Sequence, residues 1–224
     1  PQGIAAIDHA NILYGQMLDN GLDGTSLDSV FVQPINKQEF SDALIQEILI
    51  RLSTGSLQSR AQGHLVNGLQ TSGNILDLPE KPFQALKELL VQKIDNYNQI
   101  CDINTDKNFR VNWEKNLYRL SGWAIVMNKG GNLKTHNHEK GWLTGTFYLQ
   151  MPEKGANKEE GAIEVSHQGP RYPSGNAAVE KRLIRPSVRD LNIFSSALFH
   201  RTHPFQSEKQ RICIAFDISE RNDL

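Results

Sequence analysis

Residues 134–152 have the sequence KTHNHEKGWLTGTFYLQMP, in which two histidines one residue apart precede a β-strand pattern. In an extended segment, residues i and i+2 project from the same face. The imidazoles of His136 and His138 could therefore reach one metal ion, provided that a third ligand approaches from a facing strand. This stretch predicts a strand with a candidate metal site at its start.

The chain after residue 108 continues the strand pattern. Its segments are short, apolar or alternating, rich in β-branched and aromatic residues, and separated by Gly, Pro and Asn turns. They are YRLSGWAIVMN, WLTGTFYLQM, GAIEVSH, KRLIRPS, RDLNIFSS and RICIAFDIS. Strands that follow strands without intervening helices favour an antiparallel jelly roll over a parallel α/β sheet.

The first half of the chain is predicted to be helical. NKQEFSDALIQEILIRLS and LPEKPFQALKELLVQKIDNYNQI place apolar residues at three- and four-residue steps, as amphipathic helices do. A shorter helix is predicted over residues 8–20, and the segment between the long helices, rich in Gly, Ser, Asn and Gln, is predicted to form loops. We expect residues 1–107 to be a helical region that packs on a β core of residues 108–224, within one compact domain.

Composition argues against several classes of protein. The 24 Lys and Arg balance 25 Asp and Glu without a basic run, so nucleic acid is not an expected partner. No window approaches the apolar length of a membrane span. Cys101 and Cys213 give no disulfide framework and PQGIAAIDHA lacks a signal-peptide pattern, which together favour the cytoplasm. Because the chain begins with Pro1, whether residues precede it is open.

A third histidine lies in a suitable context. His200 ends the apolar run LNIFSSALFH, and Arg211 opens the strand RICIAFD eleven residues later. A guanidinium that enters a barrel interior needs an anionic partner. A bound carboxylate would supply that anion.

Together these motifs resemble the iron(II)- and 2-oxoglutarate-dependent oxygenases, which are built on a double-stranded β-helix. WAIVMNKGGNLKTHNHEKGWLTGTFYLQMP and IFSSALFHRTHPFQSEKQRICIAF are similar to a bacterial and phage-associated group within that superfamily. The resemblance covers roughly residues 110–219. It implies a mainly β, cupin-like jelly roll with flanking α-helices. It also implies an Fe(II) enzyme that uses 2-oxoglutarate and O2 as cosubstrates, releases succinate and hydroxylates an unactivated C–H bond of an amino-acid residue or small molecule.

Carried over to this chain, the resemblance makes His136 the proximal metal ligand and His200 the distal one. The better-known members have an Asp or Glu two residues after the first histidine, where this chain has His138. Imidazole is also a suitable ligand for iron(II). We therefore rank His138 first as the remaining ligand, ahead of Glu164 and Glu139.

The resemblance also implies a site for 2-oxoglutarate. Arg211 matches the basic residue that binds the distal carboxylate of this cosubstrate, and Tyr148 matches a hydroxyl that shares it. Thr144, Thr146 and Tyr148 lie on one face of their strand, so a hydroxyl-lined surface is available. Asn128 and Trp123, on the preceding strand, could line the same pocket, although no spacing rule fixes them.

Several alternatives stay open at the level of sequence. His138 could be a loop histidine that only donates a hydrogen bond, His203 could replace His200, and Arg211 could form a surface ion pair. His64 has no partner pattern and is predicted to be a surface or structural residue. Two other functions are a cupin-type three-histidine oxygenase without 2-oxoglutarate and a non-enzymatic binding module with unconnected histidines. The sequence selects neither a substrate nor an oligomeric state, and a homodimer is possible.

Overall fold

The structure is a computed structural model of the chain and describes residue 27 and residues 30–104, 118–169 and 180–221. The helix predicted over residues 8–20 lies outside these residues. Within the described ranges, two α-helices and a short 3-10 helix accompany a ten-stranded sheet. The chain is therefore mainly β with flanking helices, as predicted.

All strand pairs in the sheet are antiparallel. The strands are β1 (Phe31–Pro34), β2 (Ser59–Arg60), β3 (Leu65–Thr71), β4 (Tyr118–His136), β5 (Leu143–Gln150), β6 (Ile163–Ser166), β7 (Lys181–Ile184), β8 (Asp190–Ser195), β9 (Phe199–Thr202) and β10 (Arg211–Glu220). Their order across the sheet is β1-β8-β5-β10-β4-β9-β6-β7, and β3 pairs with both β4 and β2. Because neighbours in the sheet are mostly distant in sequence, the site is assembled by strand pairing.

The two α-helices are those that the apolar spacing predicts. Helix α1 (Asp42–Ser53) begins after Ser41, whose side chain accepts a hydrogen bond from the Leu44 N–H at 3.3 Å. Helix α2 (Lys81–Asn104) has Pro82 in its first turn, where the missing N–H costs no helical hydrogen bond. Among the described residues, no helix is both long and apolar enough to cross a membrane.

The helices pack against one face of the sheet and form the largest apolar core. Its fully buried members include Phe83, Leu86, Leu90 and Ile94 of α2 and Phe147, Leu191, Ile193, Ile214 and Phe216 of the strands. Burying a large apolar side chain contributes about 1.5 to 3 kcal/mol relative to leaving it exposed. Hydrophobic burial therefore holds the helices on the sheet.

Strand β10 shows how the sheet separates this core from a cavity. Side chains alternate between the two faces of a strand. Those of Ile212, Ile214, Phe216 and Ile218 join the helix-side core. Those of Arg211, Cys213, Ala215 and Asp217 line the cavity or the cleft beside it. One alternating segment thus supplies packing on one side and polar groups on the other.

Strand β4 is 19 residues long and bends between two sets of partners. Its first part pairs with β10, and its last part pairs with β9. Gly130, near the bend, has a φ of 74°, which residues with a Cβ rarely adopt. A Cβ on Gly131 would lie only 2.6 Å from the Asn128 carbonyl oxygen. The bend brings His136 opposite His200 in the register of β4 and β9.

Three strands precede residue 108 and belong to the sheet. β2 and β3 lie in the segment predicted to form loops, so that prediction is wrong at these residues. Only Gln70 and Thr71 of β3 are buried, and its apolar residues are partly buried or exposed, so the strand lacks the apolar alternation that identifies a strand. The division of the chain at residues 107 and 108 stays a prediction.

Candidate metal centre and cosubstrate pocket

Three histidines come together where β4 and β9 pair. His136 is the last residue of β4, His200 faces it from β9, and His138 lies just after β4. The structure divides the apolar run before His200 into β8 and β9, so His200 lies inside a strand rather than at its end. Each histidine has a ring nitrogen within 4.8 Å of the corresponding nitrogens of the other two. In the described part of the chain, no other group of three or more His, Cys, Asp or Glu side chains brings its potential ligand atoms this close together.

The Nδ1 atom of each ring has a polar partner. These partners are the Lys134 carbonyl for His136 at 2.8 Å, the Asp217 carboxylate for His138 at 2.6 Å and the Leu198 carbonyl for His200 at 3.4 Å. Such contacts orient metal-binding histidines and leave Nε2 for the ion. A face of three imidazoles suits Fe(II), so the residues present fit this metal.

Burial and mutual repulsion set the charges of the rings. Burial and the charge of His138 lower the pKa of His136 to about 4. Burial and the charges of the other two rings hold the pKa of His200 well below its usual value. Burial also opposes the charged form of His138, but Asp217 outweighs it and raises the pKa of this ring. His136 and His200 are thus neutral at neutral pH, the form that binds a metal.

The carboxylates considered as alternative ligands are not part of the histidine cluster. Glu164 accepts hydrogen bonds from Arg201 at 2.7 Å and pairs with His203 at 3.1 Å. Burial opposes the charged form of Glu164, but Arg201 and His203 lower its pKa, so it is an ion-pair partner. Glu139 lies outside the cluster as well. The structure therefore brings His138, and neither carboxylate, to the two other histidines.

Arg211 is buried, with 2% of its surface exposed. Its Nε donates to the Gly161 carbonyl at 3.2 Å, one terminal nitrogen contacts the Cys213 sulfur at 3.4 Å, and the guanidinium lies 5.0 Å from the Tyr148 ring centre. Among the described residues, no acidic side chain forms an ion pair with it. A buried cation without a countercharge is costly, so this position favours a bound anion.

Arg211 and the three histidines line the same cavity, together with Thr146. Tyr148 does not line it. Its ring packs against Arg211, and its hydroxyl accepts a hydrogen bond from the Asn192 side chain at 3.0 Å. The structure thus places Thr146 in the cavity lining and Tyr148 against Arg211. Direct contact between Tyr148 and 2-oxoglutarate stays a prediction.

A wider cleft of about 430 Å³ adjoins the histidines. His136 and His138 belong to its lining, as do Trp123, Arg60 and Asp217. The cleft is large enough for an organic substrate, and it reaches the candidate metal centre from the side of the β2 and β3 hairpin. Trp123 lines both this cleft and the cavity, as predicted, whereas Asn128 lines neither, so the prediction is wrong for Asn128.

The sequence motifs do not identify two residues that lie near the centre. The exposed ring of His64, just before β3, stacks on His136 with ring centres 5.1 Å apart, but no pattern in the sequence singles out His64. Asp217 bonds to His138 across 79 residues of sequence. A signal for Asp217 did exist, because its spacing from Arg211 puts both on the same face of β10.

Residues 121–217 match the model of a family described as "Putative 2OG-Fe(II) oxygenase". The resemblance is confirmed. The matched segment contains all three histidines, Thr146 and Arg211. The predicted cofactor set, Fe(II) with 2-oxoglutarate and O2 as cosubstrates, is confirmed at the level of the family. No curated protein matches the sequence.

Solved structures share the fold of this chain. A prolyl-4-hydroxylase from Pseudomonas putida is 13% identical, with a TM-score of 0.61, over 94% of this chain and 98% of that one. A prolyl hydroxylase from Trichoplax adhaerens is 15% identical, with a TM-score of 0.57, over 94% and 88%. HygX from Streptomyces hygroscopicus, with nickel and 2-oxoglutarate bound, is 16% identical, with a TM-score of 0.55, over 88% and 84%. These likenesses confirm the predicted jelly-roll fold.

Proposed function

We propose that the protein is an iron(II)- and 2-oxoglutarate-dependent dioxygenase that hydroxylates an unactivated C–H bond and converts 2-oxoglutarate to succinate. His136, His138 and His200 would hold the iron. Arg211 would bind the distal carboxylate of 2-oxoglutarate with its planar guanidinium, and Thr146 would donate a hydrogen bond nearby. When bound, the metal and its cosubstrates supply the oxidation.

The observation that carries the proposal is the shared cavity. Three histidine nitrogens converge within 4.8 Å, and the same cavity contains a buried Arg211 without an acidic partner among the described residues. 2-Oxoglutarate has a keto-acid end that can chelate a metal and a carboxylate end that can satisfy an arginine. One molecule therefore meets both requirements.

The protein also contributes orientation and shielding. Arg211 is held by the Gly161 carbonyl and the Tyr148 ring, so it needs little reordering when an anion binds. Apolar residues surround the polar groups, which limits water near the bound cosubstrate. These contacts select one orientation for 2-oxoglutarate and leave the adjoining cleft for the substrate.

The two rival functions make different structural demands. A binding module with unconnected histidines requires them to lie too far apart to share an ion, and the cluster contradicts this. A three-histidine oxygenase without 2-oxoglutarate fits the ligand set but gives no role to the unpaired charge of Arg211. The buried arginine is the observation that favours 2-oxoglutarate.

The substrate would enter the cleft that adjoins His136 and His138. Its walls combine the Trp123 indole with polar and charged side chains such as Arg60, a mixture that suits a small molecule or a peptidyl side chain. The hydroxylated group, the cytoplasmic location, the absence of nucleic-acid and membrane partners and a possible homodimer remain predictions.

The proposal is tested by anaerobic titration of the full chain with Fe(II) and then 2-oxoglutarate. We expect one equivalent of metal to bind and a weak visible charge-transfer band to appear only when both are present. His200→Ala should abolish metal binding and the band. A band that persists in this variant would remove His200 from the ligand set.

A substrate screen then tests the reaction. Succinate release should be coupled to a product that has gained one oxygen atom. His203→Ala provides the matched control, since His203 lies three residues from His200 and bonds to Glu164 instead of the cluster. This variant should retain the metal and the band.

A further inference from the structure

The third histidine differs from the other two in the group that holds its ring. Nδ1 of His136 and of His200 face backbone carbonyls, whereas Nδ1 of His138 lies 2.6 Å from a carboxylate oxygen of Asp217. The side chains of His138 and Asp217 are 16% and 24% exposed. This contact is therefore a shielded, charge-assisted hydrogen bond and not a surface ion pair.

The backbone on both sides fixes the geometry of this pair. Asp217 lies on β10 between two partner strands, opposite Ser121 of β4 and Thr144 of β5. The N–H of His138 donates to the Ser196 carbonyl at 3.1 Å, which anchors the turn that carries the ring. Because both residues are held by main-chain hydrogen bonds, the carboxylate is already in place before a metal binds.

The pair meets an electrostatic need of a three-histidine site. Three neutral imidazoles bring no negative charge to a divalent ion, and the site is partly shielded from water, where uncompensated charge is costly. A carboxylate that accepts the N–H of a ligating histidine fixes the tautomer and raises the basicity of the ligating nitrogen. Asp217 is the carboxylate in this position.

We propose that Asp217 is the positioning residue of the metal centre: acting through His138, it supplies the negative charge that three histidines lack and keeps Nε2 of His138 available to the metal. The inference rests on the proposed function, because it takes the three histidines as the metal ligands. Thr144 offers a matched comparison, since its Oγ1 lies 3.4 Å from the same Nδ1 atom and carries no charge.

The test compares Asp217→Asn, Asp217→Glu and Thr144→Val in the full chain. Asparagine keeps an oxygen that can accept from Nδ1 and removes only the charge. Anaerobic Fe(II) affinity should fall about 10- to 100-fold in Asp217→Asn. Asp217→Glu should recover most of the loss, and Thr144→Val should bind Fe(II) much as the wild type does. Wild-type affinity in Asp217→Asn would overturn the proposal.

A spectroscopic readout separates a metal effect from a general structural one. Co(II) bound at the histidines reports on their basicity through its visible ligand-field bands. Asp217→Asn should shift these bands relative to the wild type, while Thr144→Val should not. Unchanged bands in Asp217→Asn would count against the proposal even if the affinity fell.

A double-mutant cycle tests whether the charge acts through His138. In the H138D background, the carboxylate introduced at position 138 supplies the charge directly, and Asp217 becomes a nearby like charge. Asp217→Asn should then leave Fe(II) affinity unchanged or raise it, opposite to its effect beside His138. An equal loss in both backgrounds would show that Asp217 acts on something other than His138.

His200→Ala distinguishes a failure of the proposed function from a failure of the inference about Asp217. If His200→Ala binds Fe(II) like the wild type, the three-histidine site is wrong and the proposed function fails with it. If His200→Ala loses the metal while Asp217→Asn keeps wild-type affinity, only the inference about Asp217 fails.

Discussion

The two faces of β10 are both largely buried, yet they carry different kinds of residue. Ile212, Ile214, Phe216 and Ile218 pack against the helices, while Arg211, Cys213, Ala215 and Asp217 face the cavity and cleft. The helix face gains stability by removing apolar surface from water. The cavity face buries a cation without a countercharge and a carboxylate bonded to a histidine.

Within this one strand, the helix face contributes to stability and the cavity face carries the groups for chemistry. Burial of polar groups is unfavourable unless they are paired, so the cavity face depends on the support of the helix face. Changes on the helix face should affect unfolding without altering ligand binding in the folded protein. Changes on the cavity face should alter ligand binding with little effect on unfolding.

The largest effect is expected for the histidine cluster. His136→Ala removes a ligand and should reduce succinate formation to the background rate, because the remaining two imidazoles would hold the metal weakly. Metal content after desalting and succinate release measure this effect. His64→Ala is the control for metal content, since His64 stacks on the same ring but lies outside the cluster. A variant lacking His136 that kept full metal content would contradict the site.

The next effect concerns the helix face. Ile214 is fully buried in the helix-side core, so Ile214→Ala should lower the free energy of unfolding by about 2 to 5 kcal/mol. Urea denaturation measures this change. Ile50→Ala makes the same truncation at a position that is 62% exposed, where a change of within about 0.5 kcal/mol is expected. Loss of 2-oxoglutarate affinity in folded Ile214→Ala would contradict the claim that the helix face affects unfolding without altering ligand binding.

Arg211→Lys should have a smaller and more selective effect. Lysine keeps the charge but loses the planar fork, so the KM for 2-oxoglutarate should rise about 10- to 100-fold, with Fe(II) affinity retained. Initial rates of succinate release at varied 2-oxoglutarate measure it. Arg201→Lys is the control, because Arg201 pairs with Glu164 and lies outside the cavity lining. An unchanged KM in Arg211→Lys would remove the cosubstrate role.

A further effect is a pH dependence of the stability of the metal-free protein. Burial and the charge of His138 lower the pKa of His136 to about 4 from a usual value of 6.5. Between these values the unfolded chain binds a proton at this ring that the folded chain does not. Stability should therefore decrease as pH falls from about 6.5 to about 4. Thermal unfolding across this range tests the direction, and His136→Gln should show a weaker dependence.

Much of this arrangement can be predicted from local patterns. The apolar spacing of α1 and α2 identifies both helices, and the alternation in β5 and β10 identifies two central strands. The HxH motif with a distal His and Arg also indicates the metal centre, although His138 lies just after β4 and not within the strand that the spacing argument assumes.

The remaining features depend on contacts that local patterns do not encode. β3 is paired, but its two buried residues are the polar Gln70 and Thr71, so it carries no apolar alternation to detect. The run before His200 is mostly apolar, and no local pattern marks the turn at Ser196 to Leu198, which separates β8 from β9 where the two strands pair with different partners. The bond between His138 and Asp217 requires the register of β10, which the sequence does not specify.

The central claim is that one cavity holds a metal on three histidines and a cosubstrate carboxylate on Arg211. A crystal structure with Mn(II) and 2-oxoglutarate tests it most directly. We predict that Nε2 of His136, His138 and His200 bind the ion and that the distal carboxylate of 2-oxoglutarate accepts hydrogen bonds from Arg211. A metal held by Glu164 or Glu139 in place of His138, or 2-oxoglutarate bound away from Arg211, would contradict the account.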